Sequence, residues 1–470
     1  MSASLKTPLT LMLSLALGAC TMAPRYKQPA APVQAAYEST GVAAGTAAPP
    51  AAGIGWKQFF PDAELQDLLA RALANNRDLR IATLNVEAAR AQYRIQRADL
   101  VPAIDAAGTS NNQRVPANLS SSGQSELNRS YSAGLGVSAF ELDLFGRVRS
   151  LRRAALEDYF RIEETRTAAQ LLLVSEVATA WLTLITDREL LRLAIETRDS
   201  QRKSYDLTKL RFDAGVSSEI DLHRSETPWR EAEVDIAAQT RRVAQDRNAL
   251  ALLVGEPLPA EIGAGEHAID AQTFSMALPA GLPAELLVRR PDVRAAEHAL
   301  KAANADIGAA RAAFFPSIEL TGFYGNASSD LSELFQAGHT SWSFTPQVRL
   351  PIFAGGANLA SLNLANVRKR IEIARYEQSI QVAFREVADA LVARSTLEDQ
   401  LRAQEALTRA SENSYRLADV RYRGGVDSYL GALIAQRDLY TAQRQLIVTR
   451  LAGASNLVQL YQALGGGWKE

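Results

Sequence analysis

The chain has 470 residues, 51 basic against 52 acidic side chains, 47% hydrophobic and 22% charged. That composition belongs to a folded protein, and a net charge of −1 gives no electrostatic footprint for nucleic acid. One Cys excludes any disulfide within the chain.

Lys6, an apolar run from Leu9 to Leu17 and small residues before Cys20 form the pattern of a secretory signal peptide over residues 1–19, too short to stay as a membrane span. Leu17-Gly18-Ala19-Cys20 resembles a bacterial lipoprotein cleavage box. That resemblance implies a Cys20 that becomes the first residue and carries lipid on its thiol, the only covalent group expected and no other cofactor. Thr21 in place of Asp resembles the outer-membrane subset of such lipoproteins. From Ala23 to Gly55 the chain is Ala, Pro, Gly and polar residues without period, so residues 20–60 read as an extended, lipidated tether.

Beyond the tether the chain repeats itself. Asn76-Arg77-Asp78-Leu79-Arg80 aligns with Arg290-Pro291-Asp292-Val293-Arg294, and Pro102-Ala103-Ile104 with Pro316-Ser317-Ile318, both at offset 214. Glu176-Val177-Ala178 and Glu386-Val387-Ala388 match at offset 210, as do two turns, Arg211 to Ser218 and Arg421 to Ser428. The reading is a first repeat over 61–254, a linker over 255–289, a second repeat over 290–464 and a tail over 465–470. Each repeat is predicted as helix, strand pair, long helix, turn, helix.

The first helix is expected from Asp78 to Leu100, and its counterpart from Pro291 to Ala313. The runs Arg147 to Ala214 and Ala357 to Arg423 hold neither Gly nor Pro, so each can be one helix of about 100 Å. The second arms, Ser218 to Val254 and Ser428 to Tyr461, are half as long. One long helix can therefore lie beside two shorter ones stacked end to end. Pro228 should kink or distort the first arm.

Between the helices the period changes to two. Trp342, Phe344, Pro346, Val348 and Leu350 alternate with Ser343, Thr345, Gln347 and Arg349, and weaker alternation occurs around Ile104 to Gln113, Tyr131 to Glu141 and Ser317 to Asn326. Polar segments Val115 to Arg129 and Ala327 to His339 separate the members of each pair. No further strand-rich stretch can cover the apolar face, whereas strands of ~10 residues suit a transmembrane barrel. Four strands leave edges that lipid does not tolerate, so other copies of the chain must close the barrel. Tyr131, Tyr324 and Trp342 are candidate interfacial aromatics.

These residues resemble the outer-membrane efflux lipoproteins of the TolC family, the OprM-like or NodT-type channels of tripartite pumps. The matching stretches are Trp56-Lys57-Gln58-Phe59-Phe60, Asn76 to Arg80, Gly281-Leu282-Pro283-Ala284-Glu285-Leu286-Leu287, Arg289 to Val293, Phe314-Phe315-Pro316 and both turns. The resemblance runs from Cys20 to about Leu464. It implies a mostly α protein with a β-barrel part: a homotrimer with a twelve-stranded barrel in the outer membrane of a Gram-negative bacterium and a long α-helical barrel in the periplasm, with Glu256 to Leu287 as an equatorial belt. It implies two partners, a periplasmic adaptor and an inner-membrane RND-type transporter. The adaptor would meet the hairpin tips at Gly215, Val216, Ser217, Gly425, Val426 and Asp427. The family gate, an apolar residue followed by Asp and Arg, falls on Leu430, Ile434 and Arg437. Ile434 stands where Asp is usual, which suggests a more apolar closure with Asp438 as the nearest acid.

No enzyme is expected. His223, His267, His298 and His339 lack the paired spacing of a metal site. Gly134-Leu135-Gly136-Val137-Ser138-Ala139 mimics a dinucleotide-binding loop but lies within a predicted strand, and neither a Walker loop nor G-x-S-x-G occurs. The expected function is passive exit of drugs or other small solutes. Metal-ion or polypeptide export through the same architecture, or a non-conducting periplasmic scaffold, are the alternatives.

Overall fold

The computed structural model describes residues 21–34, 54–265 and 289–467. The signal segment 1–19, Cys20, His267 and the Gly281 to Leu287 stretch lie outside the described residues. The elements are α1 (Trp56–Phe59), α2 (Ala63–Asn75), α3 (Arg77–Ala98), β1 (Asp105–Val115), β2 (Glu126–Glu141), α4 (Arg147–Asp213), α5 (Glu219–Val254), α6 (Pro291–Ala312), β3 (Ser317–Ser328), β4 (Thr340–Arg349), α7 (Ala357–Arg423) and α8 (Tyr429–Ala463). Both long helices run unbroken, and α5 continues through Pro228. Packing divides the chain into two compact units, each drawing on both repeats.

Among the described residues, the first unit comprises Asn85–Glu163 and Ala295–Tyr376 with residues 21–30. Its four strands form one antiparallel sheet in the order β1-β2-β3-β4, leaving β1 and β4 as edges. Period-two alternation becomes two chemically distinct faces. Ala106, Leu135, Tyr324 and Trp342 stand opposite one another across the strands, with Leu135, Tyr324 and Trp342 exposed. Gly134 faces Gly325 where β2 and β3 approach so closely that a Cβ on either would meet the other's backbone. A bulge between Val137 and Phe140, with Ala139 at φ 51, bends β2 near its end.

Residues 21–30 lack helix and strand, as their composition predicts, but they are docked. Tyr26 donates to Glu297 (3.0 Å), Asn304 to the Pro24 carbonyl (2.8 Å) and Gln28 to Tyr376 (2.8 Å). A Cβ on Gly308 would lie 2.8 Å from Ala23 N, so the missing side chain makes the notch this segment occupies. Nearby, His298 shares a 2.7 Å hydrogen bond with Glu157.

The second unit contains the remaining parts of α4 and α7, the N-terminal end of α3, and the helices α1, α2, α5 and α8. Here three stretches differ from the reading by composition. Ile54, Trp56, Phe59 and Phe60 are core rather than the end of a tether, and Phe59 stacks on Tyr461 at 4.0 Å while Tyr461 donates to the Ile54 carbonyl (2.6 Å). Burial drives these aromatics inward although seven residues are too few to display a period. Gly465 to Gly467, read as a tail, are buried against Arg289, Arg290 and Tyr461, where residues without side chains let the backbone pass the ring. The start of the linker is also structural: Glu256 pairs with Arg71 (2.5 Å), Gly263 N donates to Glu64 (2.8 Å) and Ile262 is buried.

The end-to-end stacking of short helices is realised by one joint used twice. Asn76 Nδ2 donates to the Leu253 carbonyl at the end of α5 (2.8 Å), while its Oδ1 caps α3 by accepting from Leu79 N (2.9 Å). At the aligned position Arg290 donates to the Ala463 carbonyl at the end of α8 (3.0 Å) and pairs with Asp292 (2.6 Å) and Glu386 (2.7 Å). The last carbonyls of each second arm thus find donors at the start of the next helix.

Candidate functional site

The two hairpin tips are built alike. Gly215 sits at φ 75 and Gly425 at φ 70, left-handed positions that end α4 and α7. Gly215 N donates to the Phe212 carbonyl and Val216 N to the Arg211 carbonyl; Gly425 N and Val426 N do the same to Tyr422 and Arg421. This paired pattern satisfies orphan carbonyls of each helix and reverses the chain within a few residues. Val216 and Val426 are left exposed at the apex.

The tips differ in what fastens them. Ser218 caps α5 by accepting from Asp221 N (3.2 Å), whereas Ser428 makes no side-chain cap, and Gly431 occupies the place of Asp221. The second tip instead carries the Arg421–Asp427 ion pair (2.5 Å). The hydrogen bond from Arg421 holds the Asp427 carboxyl below its ordinary range. Arg211 donates to Tyr422 Oη (2.9 Å), tying the first tip to the second. Tyr422 lies 5.2 Å from the Tyr429 ring, whose hydroxyl is pushed up to about 12 by burial and then by Tyr422 and Tyr415. Sequence reasoning missed the Arg211–Tyr422 tie, because it joins residues of two repeats that only tertiary structure makes neighbours.

Beyond the second tip, Leu430, Ile434 and Arg437 lie along one exposed stripe of α8, while Ala432, Ala435 and Gln436 are buried. Leu430 is 43% and Ile434 44% exposed, so in the single chain Ile434 does not pack between helices. Asp438 is exposed as well. Arg437 also borders a cavity of about 730 Å³ lined by Gln201, His223, Glu226, Tyr440 and Arg444. Tyr440 donates to Asp235 (2.8 Å) at its edge, tying α8 to α5. In the same unit Asp187 and Asp246 interact. Burial, then the Asp187 charge, raises the Asp246 carboxyl to about 6, against the pull of Arg242.

Two very long helices, each followed by a half-length arm, and an open amphipathic sheet define the class of an outer-membrane channel protomer. The sequence matches the outer membrane efflux protein family over residues 68–256 and 282–466. The chain belongs to that family, as the outer-membrane channel component of an efflux system. It is 50% identical over 456 residues to the toluene efflux pump outer membrane protein TtgC of Pseudomonas putida, covering 97% of this chain and 94% of the relative. The antibiotic efflux pump outer membrane protein ArpC of Pseudomonas putida matches to the same extent, 50% identical over 456 residues with 97% and 94% covered. Among solved structures, the Neisseria gonorrhoeae MtrE outer membrane channel in its open state aligns with a TM-score of 0.87 at 41% identity, covering 96% of this chain and 99% of that one.

Proposed function

We propose that this protein is the lipid-anchored exit duct of a tripartite pump, closed as a homotrimer. The observation that carries the reading is the open four-stranded sheet, with an exposed apolar face and two free edges. Such a sheet is tolerated in lipid only when further copies close it. Residues 1–19 are removed and Cys20 carries the lipid. The tips at Gly215, Val216, Ser217, Gly425, Val426 and Asp427 receive a periplasmic adaptor, which joins the duct to an inner-membrane RND-type transporter. Leu430, Ile434 and Arg437 form the gate, and the chain performs no catalysis of its own. The names of its relatives favour apolar solvents and antibiotics as the exported solutes.

The test uses the full-length protein purified in detergent and fused into planar bilayers. Native mass should give a trimer, wild type should rest closed, and Arg421→Ala, which removes the ion pair across the second tip, should raise conductance. A trimer that passes no ions with its tip loosened would overturn the duct in favour of a scaffold. Cys20→Ser should abolish labelling by radioactive fatty acid, and persistent labelling would refute the anchor.

A further inference from the structure

The internal repeat supplies a template for the seam between copies. Within the chain β2 and β3 come from different repeats, and their pairing is the join between one strand pair and the next. At its lower end Glu141 stands opposite Glu319, Leu142 N donates to the Ile318 carbonyl (2.8 Å), and Phe145 stacks on Phe315 at 4.8 Å. Arg147 pairs with Glu141 and offsets the two facing acids.

The free edges carry the same parts one repeat out of step. Leu142-Asp143-Leu144-Phe145 aligns with Leu350-Pro351-Ile352-Phe353, which places Arg349 at the Glu141 position. Pro102 aligns with Pro316, which places Val101 at the Phe315 position, Ile104 at Ile318 and Asp105 at Glu319. Unlike Phe145, Phe353 has no ring partner among the described residues: Ile352 is 92% and Phe353 91% exposed, with Val101 and Ile104 exposed too. Neither Arg349 nor Asp105 has a side-chain ion pair or hydrogen bond among the described residues. Arg349 only borders a cavity of about 400 Å³ with Glu141, Arg147 and Glu319.

We propose that β4 of one copy pairs with β1 of a second copy in the register of the β2–β3 join, setting Arg349 opposite Asp105 of the neighbouring copy and Phe353 against its Val101. Leu350 N then donates to the Ile104 carbonyl across the seam. The inference rests on closure by further copies and adds the register and the contacts. Charge supports it: the internal join needs Arg147 to offset two glutamates, whereas the seam brings a cation directly to an anion, and α7 starts at Ala357 where α4 starts at Arg147. Face parity supports it independently. Asp105 is opposite Gly136, Gly136 opposite Phe323 and Phe323 opposite Ser343, and Arg349 lies an even number of residues beyond Ser343. Both charges therefore sit on one face of the sheet, while a slip of one residue would set Arg349 against Ile104 or Ala106 of the opposite face.

The test is disulfide trapping in the full-length, membrane-inserted protein, with Asp105→Cys and Arg349→Cys in one chain. Opposed strand residues have the Cα spacing a disulfide needs. Oxidation should give cross-linked multimers on denaturing gels, about tenfold more than Arg349→Cys combined with Ala103→Cys or Ala107→Cys, whose diagonal separations are larger. As a second measurement, Arg349→Asp should weaken the oligomer on native gels, and adding Asp105→Arg should restore it. Stronger trapping in a shifted pair, or no trapping in protein whose native mass is oligomeric, would overturn the register while leaving closure intact. A monomeric native mass would overturn closure and register together.

Discussion

Three glycines with nearly the same backbone angle should respond very differently to alanine. Gly215, Gly425 and Gly255 have φ 75, 70 and 81. Nothing lies within 4 Å of a Cβ built on Gly215 or Gly425, so Ala there meets only the left-handed penalty, about 1 kcal/mol. A Cβ on Gly255 would lie 2.5 Å from the Asn75 carbonyl oxygen and 3.2 Å from Asn76 N. Overpacking adds to the backbone term, for a total of roughly 2–4 kcal/mol. Hydrogen–deuterium exchange of the detergent-solubilised protein resolves the sites. Amides around each tip should exchange about fivefold faster in G215A and G425A. Those at the joint of α2, α3 and α5 should exchange at least about thirtyfold faster in G255A. Equal acceleration at all three sites would show that the close approach at Gly255 is not what constrains it.

The remaining predictions concern the joint, the carboxylate pair and the proposed gate. Asn76→Ala should cost about 2 kcal/mol, one part from the lost cap of α3 and one from the unpaired Leu253 carbonyl, read by denaturant unfolding; a loss below about 0.5 kcal/mol would contradict the joint. Asp246 titrates at about 6 in the fold against an ordinary 3.8, so the folded state favours its protonated form. Its contribution to stability is full below pH 3.8 and is lost as pH rises through 6. Asp246→Asn should therefore be more stable than wild type at pH 7.5 in denaturant unfolding, by no more than about 1 kcal/mol after solvent screening, and match it near pH 4. An equal difference at both pH values would argue against the pair. Ile434→Asp, placed in the Arg421→Ala background, should raise cation over anion permeability by about twofold or more in planar bilayers. Unchanged selectivity would remove Ile434 from the pore.

Much of this architecture is local and therefore legible in the chain. The stretches free of Gly and Pro are the 67-residue helices α4 and α7, the period-two runs lie in the strands although β2 starts at Glu126 inside the expected polar loop, and the Gly-Val turns end the helices where predicted. Backbone propensity and periodicity act over a few residues, so one sequence suffices to read them. Repetition carried the reading further, since Asn76 and Arg290 occupy equivalent joints with different chemistry. Of the proposed gate, the sequence determined the spacing of Leu430, Ile434 and Arg437; the fold decided that all three lie on an exposed stripe. Tertiary structure alone made core of Trp56, Phe59 and Phe60, packed Gly465 to Gly467 around Tyr461, seated Ala23 on Gly308 and joined Arg211 to Tyr422. These segments have no period of their own, and their burial depends on partners distant in the chain, which no local pattern records.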